Sequence, residues 1–141
     1  MRGVVREMAT LTMDQALGAL RTAVGKATEI GSPSSIAIVD GGRNLVAFVR
    51  MDGALLASIE ISQGKAYTAR SMNMNTADIG PLTQPGQPLY GIETSHARPL
   101  ITFGGGQPLR VNGEIVGAVG VAGGTVVQDD EVASAAVASL S

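Results

Sequence analysis

Eight of the chain's 19 glycines fall within residues 104–124, "GGGQPLRVNGEIVGAVGVAGG", a stretch that otherwise has the character of β-strand. Glycine weakens a strand, because it loses the most conformational freedom on folding and packs no side chain, so its abundance here must serve close approach or unusual backbone geometry. Gly117 and Gly120 stand three residues apart and face opposite sides of the strand. Either another backbone or a flat ligand lies against it, and helix packing is the plainer demand. The triplet Gly104, Gly105 and Gly106 poses a similar choice. Successive glycine N–H groups can converge on a carboxylate or phosphate, or the triplet can be a bulge or bend in the sheet. It is not a P-loop, since no Gly-Lys-Ser/Thr follows, and not a dinucleotide fingerprint, since a proline-containing strand follows in place of a helix.

The rest of the chain alternates between helical and strand patterns. From Thr12, "TMDQALGALRTAVGKATEIG" opens with a Thr-x-x-Gln capping signal and places Met13, Leu17, Leu20, Val24 and Ala27 on one helical stripe. A second face carries the small residues Gly18, Thr22 and Gly25, which would admit another helix or a second copy. "SIAIVD" and "NLVAFVR" predict two antiparallel strands joined through Gly41-Gly42-Arg43. "DGALLASIEISQGKAYTARSM" predicts a second helix with Leu55, Ile59, Ser62, Ala66 and Ala69 on one stripe and Asp52 as its N-cap. Residues 73–99 lose periodicity, as binding loops of this length do, with a short helix expected around residues 89–94. "LITF", "QPLRV" and "EIVGAVGVAGG" predict three more strands, the last two joined by a type I′ turn at Asn112-Gly113. "VQDDEVASAAVASLS" predicts a closing helix with Asp129, Asp130 and Glu131 at its positive end. The order implies an α+β single domain: one antiparallel sheet of roughly five strands with helices packed on it.

Several functions are excluded at this level. A net charge of −2 and 3% aromatic residues give nucleic acid neither a basic field nor stacking platforms. Without cysteine there is no disulfide, thiolate metal site or cysteine nucleophile. No apolar run approaches the roughly 18 residues of a membrane span, and the N-terminus does not read as a signal peptide, so no membrane partner and a cytoplasmic location are expected. One histidine, His96, precludes a multi-histidine metal centre and leaves no metal site expected, although a single axial ligand to haem iron is compatible with it. His96, Tyr67, Tyr90, Met51 and Met72 are the available axial donors, with Arg70 or Arg98 for propionates; a lone loop histidine is also simply a solvated one. Arg50 is a candidate anion ligand beside Asp52 as a proton acceptor, or else the two pair with each other. Lys65 lies among small residues in "SQGKAYTA", where a buried amine would bind a carboxylate or act as acid or base, and an exposed one would do neither.

Taken together, "SIAIVDGGRNLVAFVRMDGALLASIEISQGKAYTA", "GQPLYGIE", "ITFGGGQPLRVNGEIVGAVGVAGG" and "QDDEVASAAV" resemble the GlcG/HbpS family, which also takes in the C-terminal domain of PduO-type corrinoid adenosyltransferases. The resemblance runs from about Leu11 to the C-terminus, leaving residues 1–10 as an N-terminal extension in which Met1 and Met8 are both candidate initiators. Its pattern matches Asp40, Arg50, Met51, Asp52, Gly53, Lys65, Gly104, Gly105, Gly106, Pro108, Gly113, Gly117, Gly120, Gly123, Gly124 and Asp129. Two positions depart from it: Ala122 stands where a serine is common, and the first helix lacks a histidine. The resemblance implies a profilin- or PAS-like sheet, a homo-oligomer, and a haem-binding or haem-degrading label.

The expected function is therefore a small cytoplasmic homo-oligomer that binds haem or another tetrapyrrole, with a link to haem breakdown. Its pocket is expected between the first helix, the central loop and the glycine triplet. Arg50, Arg98, Gly104, Gly105 and Gly106 are the expected ligand-binding residues, and His96 and Tyr67 the axial candidates. Two alternatives stand beside it. One is an enzyme or accessory protein acting on a small hydroxy acid, aldehyde or carboxylate, with Lys65 and Asp52 as catalytic candidates; the other is a structural or partner-binding subunit.

Overall fold

Alternation of large and small side chains along two central strands sets the architecture seen in the computed structural model, which describes residues 9–140. β1 (Ser35–Asp40) and β4 (Glu114–Ala122) pair antiparallel at the centre, flanked by β2 (Leu45–Arg50) and β3 (Gly106–Val111), in the order β2-β1-β4-β3. Ile36 and Ile38 of β1, with Val119 and Val121 of β4, point into a core shared with α1 (Met13–Glu29) and α4 (Val126–Ala138). The intervening Ala37, Val39 and Ala118 point the other way, onto Ala66 and Ala69 of α2 (Ser58–Met72). Both faces of the sheet are covered, which is why "SIAIV" is buried throughout. The fold is α+β, with helices on either side of one antiparallel sheet.

The small-residue face lets α2 sit unusually low. Gly120 and Gly106 are opposite one another in the β3–β4 ladder. A Cβ on Gly120 would lie 1.9 Å from the Ser62 carbonyl oxygen, and one on Gly106 would lie 2.5 Å from that of Lys65. Backbone atoms of the helix thus occupy the space where two side chains would stand. Gly120 thus serves helix packing, whereas a Cβ on Gly117 would lie 2.1 Å from the Val39 carbonyl oxygen of β1.

Local signals account for most boundaries. Thr12 accepts the Gln15 N–H while the Gln15 side chain accepts the Thr12 N–H, closing the expected capping box, and Thr125 with Gln128 does the same for α4. Asn112 and Gly113 both have positive φ, 52° and 79°, as a type I′ hairpin requires. Arg43, also at positive φ, closes the β1–β2 turn.

Three expectations are corrected. The sheet has four strands among the described residues, since "LITF" does not join it. Leu100 donates its N–H to the Glu93 carbonyl and Ile101 to Thr68 Oγ1, so this segment runs along α2. Asp52 does not cap α2, which begins six residues later at Ser58 behind Ala57, a residue with no side-chain cap. The buried stripe of α1 is Ala16, Ala19, Leu20, Ala23 and Ala27, whereas Met13 is exposed. Residues 73–99 hold a single turn, α3 (Thr76–Ile79), and two 3-10 turns, Gly80–Thr83 and Ile92–Thr94, the latter at the expected position. Residues 1–8 of the expected N-terminal extension lie outside the described residues.

The seat of α2 makes a direct prediction. Gly120→Val forces a side chain into the backbone of the helix and should lower unfolding free energy by roughly 3 kcal/mol or more. Gly25→Ala, in open space on α1, should raise it by about 0.5 to 1 kcal/mol, and urea denaturation of both variants checks the pair.

Candidate functional site

The three consecutive glycines clear space at the start of β3, and the Lys65 side chain lies against the middle one. A Cβ on Gly105 would stand 2.7 Å from Lys65 Nζ and 2.5 Å from the Val121 carbonyl oxygen, and its φ of +124° favours glycine independently. The lysine leaves α2 on one face of the sheet and ends at α4 on the other. There its ammonium donates to Val121 O at 2.8 Å and to Asp129 Oδ2 at 3.0 Å, beneath the Phe103 ring with its centroid at 5.0 Å. Asp129 completes its own set by accepting the Gly124 N–H on Oδ1 at 2.9 Å. Lys65 is 1% exposed. Burial pulls its pKa below the ordinary 10.5, against the opposing pull of the Asp129 carboxylate.

Two N–H groups of the triplet are engaged by side chains. Gly105 donates to Asp130 Oδ1 at 3.2 Å and Gly106 to Thr76 Oγ1 at 2.9 Å. Gln107 Nε2 reaches the Asp130 carbonyl and carboxylate and the Ser134 hydroxyl, fastening β3 to α4. Beside this turn lies a groove of about 610 Å³, walled by Ala77, Phe103 and Gly104 from the loop and Val126, Val127 and Ser134 from α4. The first helix, expected as one wall of a ligand pocket, does not line this groove, where α4 stands opposite the glycine turn. Phe103, Val126 and Val127 are 46, 47 and 74% exposed, and Leu55 and Val126 also line a smaller pocket of about 140 Å³ above the Lys65–Asp129 pair. Sequence periodicity did not find these apolar residues, because an exposed valine at a helix start carries no signal until a facing wall is known.

The remaining candidates lie elsewhere. Tyr67, His96 and Arg98 come together on the outer side of α2: the His96 ring meets Tyr67 edge-on at 6.0 Å, and the Arg98 guanidinium lies 5.6 Å from the Tyr67 centroid. Arg43, which sequence reading used only as a turn residue, joins them at 4.6 Å. His96 Nδ1 is hydrogen-bonded to Ser95 Oγ at 2.9 Å. Arg50 donates from Nε and Nη2 to the Ala54 carbonyl, fixing the turn that contains Asp52, which is itself exposed. Tyr90 is 69% exposed, and Met51 packs at the edge of the α1–α4 core. Among the described residues no cluster of three or more acidic or histidine side chains is arranged to hold a metal ion, and no helix is long and apolar enough to cross a membrane.

Comparison with known proteins agrees with this fold throughout. The family model described as "Haem degrading protein HbpS-like" matches residues 11–138. An uncharacterized 15.0 kDa protein from the dhaT-dhaS intergenic region of Citrobacter freundii is 40% identical over 132 residues, 94% of this chain and 93% of that protein. The corrinoid adenosyltransferase PduO of Citrobacter freundii is 39% identical over 120 residues, which are 85% of this chain and only 36% of the transferase. The crystal structure of a PduOC–haem complex superposes with a TM-score of 0.88 at 35% identity, covering 93% of this chain and 95% of that one.

The buried lysine can be tested without a ligand. Lys65→Met leaves Asp129 buried without its counter-charge and should cost about 3 to 5 kcal/mol, most of which Lys65→Met with Asp129→Leu recovers. Because the folded-state pKa lies below the unfolded one, the unfolded chain binds more protons between the two values. The lysine's contribution to stability should then rise with pH over the window ending near 10.5, a slope that urea titrations find in the parent and lose in the double variant.

Proposed function

The chain belongs to the HbpS-like family, and from that premise we propose that it binds haem or a related tetrapyrrole in the groove between the glycine turn and the N-terminal half of α4. The observation that carries this reading is the exposed apolar wall of Phe103, Val126 and Val127 around a cavity of about 610 Å³. Apolar side chains exposed together around a concavity are the usual mark of a ligand site. The relative solved with haem bound supports the choice of ligand.

The residues fit the body of a porphyrin better than its iron. Phe103, Val126, Val127, Ala77 and Gly104 offer flat and small apolar surface to the ring. His96 and Tyr67 do not line the groove, where this chain presents oxygen atoms from Thr102, Asp130, Glu131 and Ser134. Phe103, Val126 and Val127 would hold haem here chiefly by apolar contact with its ring. When bound it supplies an iron centre for redox or oxygen chemistry, on which the breakdown named in the family's description would draw. The chain's own part is to enclose the ring and exclude water from one of its faces.

Homo-oligomerisation belongs to the same proposal. Gly18, Thr22 and Gly25 form an exposed strip of α1, with open space where a Cβ would stand at either glycine. The alternative of an enzyme acting on a small carboxylate finds Arg50 occupied by the Ala54 carbonyl and Lys65 enclosed, so no observation favours it.

Haemin titration followed in the Soret region tests the groove. Phe103→Ala and Val127→Asp should each weaken saturable binding at least about tenfold, the scale of one lost apolar side-chain contact, while His96→Ala and Tyr67→Phe match the parent. Unchanged affinity in both groove variants would reject the site, and loss of binding in His96→Ala would move haem to the outer side of α2. Separately, Gly18→Leu combined with Gly25→Leu should lower the particle mass seen by light scattering, and an unchanged mass removes that strip as the contact.

A further inference from the structure

The cationic cluster on the outer side of α2 takes no part in the groove. A polar pocket of about 210 Å³ is lined there by Gly41, Arg43, Arg70, Ser71 and His96. Arg43 Nη1 donates to Ser71 Oγ at 3.1 Å, and Arg70 Nη1 donates to Asn73 Oδ1. Arg98 adds a third guanidinium close by, stacked toward the same Tyr67 ring as Arg43. Among the described residues, no carboxylate forms an ion pair with Arg43, Arg70 or Arg98.

The nearest acid in sequence is already committed. Asp40 Oδ1 accepts the N–H groups of Gly42 and Asn44, and the Asn44 side-chain amide donates to both carboxylate oxygens. Arg70 Nε, meanwhile, is buried with no hydrogen-bond partner, close under Gly41. A buried donor on a charged group without an acceptor is costly, and three like charges gathered on a chain of net charge −2 repel one another. The repulsion falls when an anion with several acceptor oxygens enters, because guanidinium forks match carboxylate and phosphate geometry.

We infer that this pocket is an oxyanion site for a small dianion, a phosphate monoester or a short dicarboxylate, held between Arg43 and Arg70 with His96 at its rim. Ser71 supplies a hydroxyl, and Tyr67 holds Arg43 and Arg98 in place through its ring face. Nothing in this site depends on the haem groove, and the test uses haem-free protein.

His96 is the only histidine and Tyr67 one of two tyrosines, so proton NMR reads the pocket directly. Inorganic phosphate and malonate are titrated separately into the haem-free chain at fixed pH and ionic strength, with sodium chloride as the reference series. Saturable shifts of the His96 and Tyr67 ring signals are expected with at least one of the two, and which one saturates assigns the phosphate or the carboxylate class. Arg43→Gln, on an exposed turn, should weaken that binding at least about tenfold. Arg70→Gln should do the same; should it fail to fold, Arg43→Gln decides alone. Linear shifts that follow the chloride series, or parent-like affinity in Arg43→Gln, would overturn the assignment.

Discussion

One ion pair reaches across the whole molecule. Lys65 starts on the helix covering one face of the sheet, and its ammonium meets Asp129 on a helix covering the other. This contact couples the two layers directly. It requires the space left at Gly105 and the low seat of α2 on Gly106 and Gly120. A larger residue at any of the three would hold the helix too high or crowd the lysine. Such a pair contributes little net stability over a well-packed apolar substitute, but losing one partner alone leaves an uncompensated charge in the interior.

The same seat determines where the candidate sites lie. Alanine and glycine at the α2–sheet contact fix the helix close to the strands, with little side-chain freedom to absorb a shift. Lys65 then points inward beside the apolar groove, while Tyr67 and Arg70, a few residues further along, stand against the β1–β2 turn. The groove and the cationic pocket are thus separate surfaces served by one helix. The expected haem pocket draws on residues of both surfaces, the glycine triplet on one and His96 and Tyr67 on the other.

What could be read from the sequence was mainly local. The Thr12–Gln15 capping box, the Asn112-Gly113 hairpin and the helix packing at Gly120 each depend on neighbours in the chain or on the chemistry of one residue type. The errors share a different cause. Asp52 has the right chemistry for a helix cap, yet Arg50 grips the Ala54 carbonyl and the chain turns once more before α2 begins. "LITF" has strand composition but finds its hydrogen-bond acceptors in Glu93 and Thr68. Asp129 was assigned to the helix dipole, because nothing within its own segment indicates a lysine 64 positions away. The groove was similarly hidden, since Phe103 and Val127 acquire meaning only when the loop and α4 are seen to face each other.

The Lys65–Asp129 pair also bears on how the chain assembles. The Lys65 side chain lies against Gly105, whose carbonyl accepts the Val121 N–H, so the glycine turn and the lysine pack as one contact. Its carboxylate partner belongs to the last helix in the chain. Until α4 docks, the α2 layer holds an ammonium that has lost water and gained only a carbonyl. Docking of the C-terminal helix is therefore felt on the face of the sheet it does not cover.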